Sequence, residues 1–174
     1  MYTIKNYGSL GYQGKIIKVT NEKIALPNGK TSFREVVHHN GGVCILAIKD
    51  NKILFVRQFR YPYKEIVYEL PAGKLELGEK PQNTALRELQ EETGAIATKL
   101  YSLGKMYPSP GYTNEVIYLF YTDDYTIGNV QLDSDEFVEV VTLSLDETLQ
   151  LISEGIIVDA KTIIAIFKYI TKKS

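Results

Sequence analysis

The sequence predicts an α/β (α+β) fold, an α/β/α sandwich with a mixed sheet that follows an N-terminal antiparallel β arm. Two observations predict it. Short apolar runs of strand character fill most of the chain, and one segment between them changes to helical spacing, with further helical segments at the end. The 174 residues, of which 44% are apolar and 24% charged, suit a globular protein with its own core.

The first forty residues predict strands. The stretches "KIIKVTNEKIAL" and "KTSFREVVHH" flank "PNG", and Asn28-Gly29 is a strong hairpin signal. A boundary near Gly41-Gly42 separates this arm, residues 1–40, from a main body of residues 41–174.

The main body is predicted to contain more strands. A second hairpin, "GVCILAIKDNKILFVRQFR", turns at Asp50-Asn51, and Cys44 inside it is expected to be a buried core residue. The short strand "EIVYEL" follows and ends at "PAG". Further strands are predicted in "TKLYSLGKMY", "EVIYLFYTDD" and "FVEVVTLSL".

Three segments predict helices. Residues 81–93 begin with a proline at an early helical position, end before Gly94, and carry Ala85, Leu86 and Leu89 on one side. "DETLQLISEG" has helical spacing, and "DAKTIIAIFKYITKK" predicts an amphipathic helix. The lysines at the end of the last segment are favourable for its dipole.

Charge and composition exclude several classes of function. A formal net charge of −1 gives no sign of a nucleic-acid partner. The N-terminus lacks the apolar region of a signal peptide, and no apolar run reaches the length of a membrane span. One cysteine allows no internal disulfide. We therefore expect a cytoplasmic protein with no nucleic-acid or membrane partner.

The predicted helix at 81–93 gathers acids on one face. Glu88, Glu91 and Glu92 converge because positions i, i+3 and i+4 lie together, and such like charges repel. Arg87 relieves only part of this repulsion. A divalent cation would explain the cluster, since Mg²⁺ binds carboxylate oxygens and shares its other positions with substrate phosphates. The alternative is an ordinary solvated face of a helix.

The residues before this helix favour the metal site. Gly73 and Gly78 bracket a loop, Glu79 comes just ahead of the helix, and the Ala72 carbonyl offers another oxygen ligand. Gly73, five residues, Glu79, seven residues and then "RELQEETG" together resemble the signature of the Nudix hydrolases. The chain departs from the family at Ala95, where a larger aliphatic residue is usual.

The resemblance implies a Nudix-type fold and metal-dependent hydrolysis of a nucleoside diphosphate linked to another group. It implies that Glu88 and Glu92 are the principal ligands of Mg²⁺, with Mn²⁺ as the alternative, and that the Ala72 carbonyl and Glu91 contribute. Glu91 and Arg87 are carried over as catalytic residues, with Arg87 orienting the glutamates. Glu79 would hold the loop to the helix.

A wider resemblance suggests the substrate. "SPGYTNE", "LPNGKTSFREVV", "VRQFRYPYKEIVYELPAGKLE", "LDSDEFVEV" and "DAKT" resemble the ADP-ribose pyrophosphatase subgroup. The resemblance implies hydrolysis of ADP-ribose to AMP and ribose 5-phosphate. Other Nudix substrates, such as sugar nucleotides or dinucleoside polyphosphates, are alternatives, and so is a non-catalytic sensor that binds ADP-ribose.

The subgroup also implies substrate contacts. They are Arg34 and Glu35 in an arm exchanged across a homodimer, Arg60, and the loop residues Ser109, Pro110, Gly111 and Glu115. Tyr61, Tyr63 and Tyr112 are candidates for stacking on adenine or for simple packing.

The subgroup resemblance also implies a general base, a carboxylate on a loop after the sheet, and "LDSDEF" fits this position. Glu136 is preferred because its side chain reaches further, and Asp133 and Asp135 are alternatives.

Overall fold

A computed structural model describes residues 3–4, 9–131 and 137–173. The chain forms two compact units. The first comprises residues up to Gly41 together with Tyr107–Val116, and the second comprises Gly42–Met106 together with residues from Ile117 onward. The predicted division into a β arm of residues 1–40 and a main body of residues 41–174 stays a prediction.

In the described part of the first unit, four strands form an antiparallel sheet in which β3 pairs with each of the other strands. At the predicted hairpin, Gly29 has a positive φ of 79°, and the Leu26 amide donates to the Lys30 carbonyl. Glycine suits this position because it has no Cβ. The strands are β1 Thr3–Ile4, β2 Ser9–Gln13, β3 Lys18–Ala25 and β4 Thr31–His38.

The second unit contains a mixed sheet of seven strands among the described residues, in the order β10-β11-β5-β6-β13, with β7 beside β6 and β8 beside β5. Strands β5 and β11 are parallel, and the other pairs are antiparallel. Two short strands, β9 and β12, pair separately. The strands are β5 Gly42–Lys49, β6 Lys52–Arg60, β7 Glu65–Glu69, β8 Ala72–Lys74, β9 Ala95–Ala97, β10 Tyr101–Met106, β11 Ile117–Thr122, β12 Tyr125–Ile127 and β13 Val138–Ser144.

Strand β5 lies at the centre of the sandwich. Its residues alternate between two apolar clusters: Val43, Ile45 and Ala47 pack in the cluster of one helix, and Cys44 and Leu46 pack in the cluster of another. A strand covered on both faces needs apolar residues at successive positions, which explains the uninterrupted run "VCILAI". The predicted α/β/α sandwich is confirmed, and so is the burial of Cys44.

Among the described residues, three helices cover the sheet of the second unit: α1 Pro81–Thr93, α2 Leu145–Ser153 and α3 Ala160–Lys173. Helix α1 has a proline in its first turn and ends at Gly94, whose φ is 72°. Helix α2 begins with a capping box formed by Ser144 and Glu147. The predicted helices are confirmed to within one residue or two, because each is bounded by a residue type that marks a helix end.

The sequence did not predict the three-residue strands β8, β9 and β12, because so short a segment carries no readable periodicity. The predicted turn at Asp50-Asn51 is present, and both residues have positive φ. Within the described ranges, the protein contains no helix with the length and apolar character that crossing a membrane requires.

Candidate active site

The buried side of α1 carries two of the predicted acids. Ala85 and Leu89 are fully buried, and Glu88 and Glu92 lie on the same side with 9% and 4% of their surface exposed. A buried carboxylate needs partners because burial removes its hydration. The Glu92 Oε2 atom accepts a hydrogen bond from the Ala72 amide at 2.9 Å, so α1 is held to β8 by an acid.

Gly73 makes room for Glu88. A Cβ atom built on Gly73 would lie 1.9 Å from the Glu88 Cδ atom and 2.0 Å from its Oε1 atom. Any side chain at this position would therefore displace the carboxylate or the strand. The backbone thus approaches an acid closely at Gly73, whereas Gly78 has open space and a positive φ of 82°.

Arg87 joins three of the acids around one guanidinium. Its Nη1 atom lies 3.0 Å from Glu88 Oε1 and 2.8 Å from Glu91 Oε2, and its Nη2 atom lies 3.4 Å from Glu79 Oε2. Burial alone would lower the pKa of Arg87, but the acids Glu79, Glu88 and Glu91 outweigh it and raise the pKa above its ordinary value. The guanidinium is therefore charged and orients these carboxylates.

The candidate ligands of this region are oxygen atoms, but the described side chains do not gather them around a single point. Within the described part of the chain, no three His, Cys, Asp or Glu side chains form a group that could hold a metal ion directly. Beside α1, the positive charge between Glu88 and Glu91 is supplied by Arg87. Their oxygens, with those of Glu92 and the Ala72 carbonyl, are the ligand type that Mg²⁺ prefers. A cation would compete with Arg87 for these oxygens.

Arg60 is held by a buried acid. At the end of β6, its Nε and Nη2 atoms donate to Glu69 Oε1 and Oε2 at 2.5 and 2.7 Å, which forms a two-pronged ion pair. Lys161 on α3 donates to the same carboxylate. Arg60 is thus more than the surface arginine that a strand end usually carries, although 42% of its side chain is exposed.

The remaining substrate candidates lie in the first unit. Arg34 and Glu35 are adjacent and exposed on β4, so they lie on opposite faces of that strand. The Arg34 Nη1 atom donates to the Ser32 hydroxyl at 3.1 Å and to the Phe33 carbonyl at 2.8 Å. The predicted metal ligands thus lie in the second unit, and the predicted substrate contacts of the arm lie in the first unit.

The loop that contains Ser109, Pro110 and Gly111 packs against the end of β4. The Val37 amide donates to the Tyr112 carbonyl at 2.7 Å, and the Asn114 amide donates to the Val37 carbonyl at 3.1 Å. The Ser109 carbonyl accepts from two amides of the same loop, and Glu115 lies 3.3 Å from His39 Nδ1. Residues 110–112 form a turn.

The tyrosine candidates are exposed. Tyr61, Tyr63 and Tyr112 have 78%, 75% and 58% of their surface accessible, which excludes core packing and leaves their rings available to a ligand. The candidate bases Glu136, Asp133 and Asp135 lie outside the described residues.

Sequence reasoning missed three residues of this region. Glu69 is ion-paired with Arg60, Lys161 with Glu69, and Asp159 with Lys161, whereas the sequence shows these residues only within "VYELPAGKLE" and "DAKT". An acid at the end of the apolar run "EIVYEL" was the available signal, because such an acid is buried only with a partner.

Comparison with known proteins gives a family. A family model described as the NUDIX domain matches residues 38–163. An ADP-ribose pyrophosphatase of Bacillus subtilis is 46% identical over 158 residues, which cover 89% of this chain and 85% of the relative. A methanol dehydrogenase activator of Bacillus methanolicus is 44% identical, with the same coverage of both chains.

A solved structure shares the fold. The crystal structure of an ADP compounds hydrolase superposes with a TM-score of 0.87 and covers 98% of this chain and 92% of its own. At 22% identity, this likeness concerns the fold alone.

Proposed function

Because the chain belongs to the Nudix hydrolase family, we propose that it hydrolyses the diphosphate bond of ADP-ribose to give AMP and ribose 5-phosphate. The observation that carries the proposal is the buried placement of Glu88 and Glu92 against β8, with Glu91 tied to Arg87 on the same helix. The relative named an ADP-ribose pyrophosphatase supports the choice of substrate.

The residues of α1 would bind the metal. Glu88, Glu91, Glu92 and the Ala72 carbonyl would hold Mg²⁺, or alternatively Mn²⁺. When bound, the cation would neutralise phosphate charge and lower the pKa of a water molecule. Arg87 would fix the glutamates through its ion pairs, and Gly73 would leave space for the Glu88 carboxylate.

Other residues would bind substrate and move the proton. Arg60 would donate to the diphosphate or the terminal ribose, since a guanidinium presents several fixed donors to phosphate. A carboxylate after the sheet, with Glu136 preferred, would take the proton of the attacking water. The oxygen of that water joins one phosphorus as the bond from that phosphorus to the bridging oxygen breaks. The roles of Arg34, Glu35, Ser109, Pro110, Gly111 and Glu115 as substrate contacts rest on the family resemblance and stay predictions.

A substrate panel tests the function. With Mg²⁺ present, we expect AMP release from ADP-ribose, and a kcat/KM for ADP-ribose above that for GDP-mannose and for a dinucleoside polyphosphate. An active site that hydrogen-bonds the polar groups of one substrate rejects a substrate that lacks those groups, so the values of kcat/KM should differ strongly. A higher kcat/KM for another substrate would replace ADP-ribose within the same reaction class, and a lack of hydrolysis of every substrate would contradict the enzymatic proposal.

A matched pair of variants tests the role of α1. Glu92→Gln removes a charge from the buried acid and is expected to lower kcat by about a hundredfold or more. Glu76→Gln makes the same chemical change at an exposed loop position and is expected to leave kcat nearly unchanged. Full activity of Glu92→Gln would exclude the metal-binding role assigned here.

A further inference from the structure

Four charged side chains form a cluster where β6, β7 and the start of α3 meet. We call Arg60, Glu69, Asp159 and Lys161 the Glu69 cluster. The Lys161 Nζ atom lies 2.5 Å from Glu69 Oε2 and 3.0 Å from Asp159 Oδ1. The Arg60 Nε and Nη2 atoms donate to the Oε1 and Oε2 atoms of the same carboxylate. All of these contacts lie within the second unit.

The cluster is buried at one end and open at the other. The side chains of Glu69 and Lys161 are 3% and 12% exposed, whereas that of Arg60 is 42% exposed. Two cations and two anions give the cluster a formal charge of zero. Burial by itself would raise the pKa of Glu69, but the hydrogen bond from Arg60 and the charge of Lys161 outweigh it and lower this pKa. The carboxylate is therefore charged.

Arg60 keeps donors free for another molecule. Glu69 takes hydrogen bonds from Nε and Nη2, and in the described parts of the chain the Nη1 atom donates to no other residue. The charge of Glu69 is shared with Lys161, so Arg60 is not its only counterion. A guanidinium held on one edge by a buried acid presents its other edge in a fixed direction.

Helix α3 anchors the chain segment that carries Glu69. Asp159 accepts from the Thr162 amide at 3.0 Å and so caps the first turn of α3. The Thr162 hydroxyl accepts from the Leu70 amide at 2.8 Å. Two consecutive residues, Glu69 and Leu70, are thus fixed by consecutive residues of α3.

We propose that Glu69 and Lys161 are positioning residues that hold the Arg60 guanidinium with its free edge toward the diphosphate of the nucleotide. The proposal rests on the proposed function, because it takes Arg60 as a substrate contact. Removing Lys161 would weaken substrate binding in two ways. The Glu69 carboxylate would lose an anchor, and the cluster would gain a net negative charge that opposes an anionic substrate.

Stability alone does not account for the cluster. Buried ion pairs are often no more stabilising than apolar residues of similar volume, since desolvation offsets their attraction. A purely structural cluster would also not need one of its cations to be nearly half exposed with free donors. The partly open arrangement is the one that a substrate contact requires.

Variants of Lys161 test the proposal through steady-state kinetics. We expect Lys161→Met to raise KM for ADP-ribose about tenfold with a smaller change in kcat, as for a lost charge-assisted contact. Lys161→Arg keeps the charge and is expected to restore most of the affinity. The control is Thr148→Val, which removes a buried hydroxyl on α2 that donates to the Ser144 carbonyl. It is expected to lower Tm without changing KM, because α2 contributes no residue to the Glu69 cluster.

A double-mutant cycle shows whether Lys161 acts through Arg60. In an Arg60→Ala background, we expect Lys161→Met to change kcat/KM by less than about twofold, because the group that it positions is gone. An equal loss of kcat/KM in both backgrounds would overturn the proposal. An unchanged KM in the single Lys161→Met variant would overturn it too.

An NMR measurement separates this proposal from the proposed function. The Arg60 Nε–H donates to buried Glu69, so we expect a slowly exchanging signal in the wild-type protein and fast exchange in Lys161→Met. This readout needs no substrate. A wild-type protein that does not hydrolyse ADP-ribose would contradict the proposed function, whereas slow exchange that persists in Lys161→Met would contradict the positioning role.

Discussion

At the residue scale, the contact between Gly73 and Glu88 ties backbone geometry to the candidate chemistry. The carboxylate occupies the volume that a Cβ atom would fill, at a distance of 1.9 Å from the ideal Cβ position to Cδ. Glu88 is 9% exposed and is ion-paired with Arg87. The glycine therefore allows a long acid to lie against a strand, and this placement is independent of any positive φ at that residue.

The first prediction concerns this contact. We expect Gly73→Ala to lower the free energy of unfolding by about 1–3 kcal/mol through overpacking and to reduce kcat/KM about a hundredfold by displacing Glu88. Urea unfolding and ADP-ribose kinetics measure the two effects. In a Glu88→Ala background the clash is absent, so Gly73→Ala should cost little further stability there. An equal stability loss in both backgrounds would show that Glu88 is not what the added methyl group meets.

Cys44 illustrates a residue whose environment excludes a reactive role. It is fully buried on β5, and burial raises the pKa of its thiol well above its ordinary value. Because the thiolate is the nucleophilic form, this cysteine acts as a small core residue.

At the element scale, helix α1 carries both the core contacts and the candidate ligands. Ala85 and Leu89 are buried one turn apart, and Glu88 and Glu92 follow on the same side with the same spacing. Glu91 is two-thirds buried and reaches Arg87 instead. The helical repeat thus determines that Glu88 and Glu92 are buried and that Glu91 is partly exposed.

Helix α2 provides a test of local stability apart from the candidate site. The Ser144 hydroxyl accepts from the Glu147 amide at 3.2 Å, and the Glu147 carboxylate accepts from the Ser144 amide at 2.8 Å. We expect Ser144→Ala to lower the free energy of unfolding by about 1 kcal/mol, as for other lost N-caps. Ser144→Asp should retain the cap and the stability. Denaturant unfolding checks both variants, and kcat/KM should stay at the wild-type value; unchanged stability of Ser144→Ala would contradict the capping role.

At the scale of the whole molecule, the first unit exposes apolar side chains that its own sheet does not cover. All five residues of β2 are exposed, and Leu10, Tyr12 and Phe33 have 59%, 56% and 59% of their surface accessible. A homodimer with the arm as its contact, which the family resemblance implies, would remove such side chains from water.

We therefore expect the protein to sediment as a dimer and expect Leu10→Glu/Phe33→Glu to sediment as a monomer. Burying two charges without partners would cost several times RT, about 3 kcal/mol or more, and would oppose association. Ser9→Glu adds a charge at an exposed polar position of β2 and serves as the control. A monomeric wild-type protein at micromolar concentration would contradict the predicted homodimer.

Much of the fold could be predicted because its signals are local. Pro81 and Gly94 mark the ends of α1, and Asn28-Gly29 marks a hairpin whose glycine has positive φ. The network around Arg60 could not be predicted, because Glu69 and Lys161 are 92 residues apart in the chain. No periodicity relates two residues that meet only after α3 packs on the sheet.

The sequence by itself determined the Nudix signature, the helix that carries it and the identity of the acids, since spacing along one helix fixes which side chains share a face. Only the tertiary structure decided that Glu88 fills the space above Gly73, that Ala72 donates to Glu92, and that a buried acid pairs both with Arg60 and with a lysine from α3. The physical reason is that burial and ion pairing depend on which distant segments pack together, and local propensity carries no information about that packing.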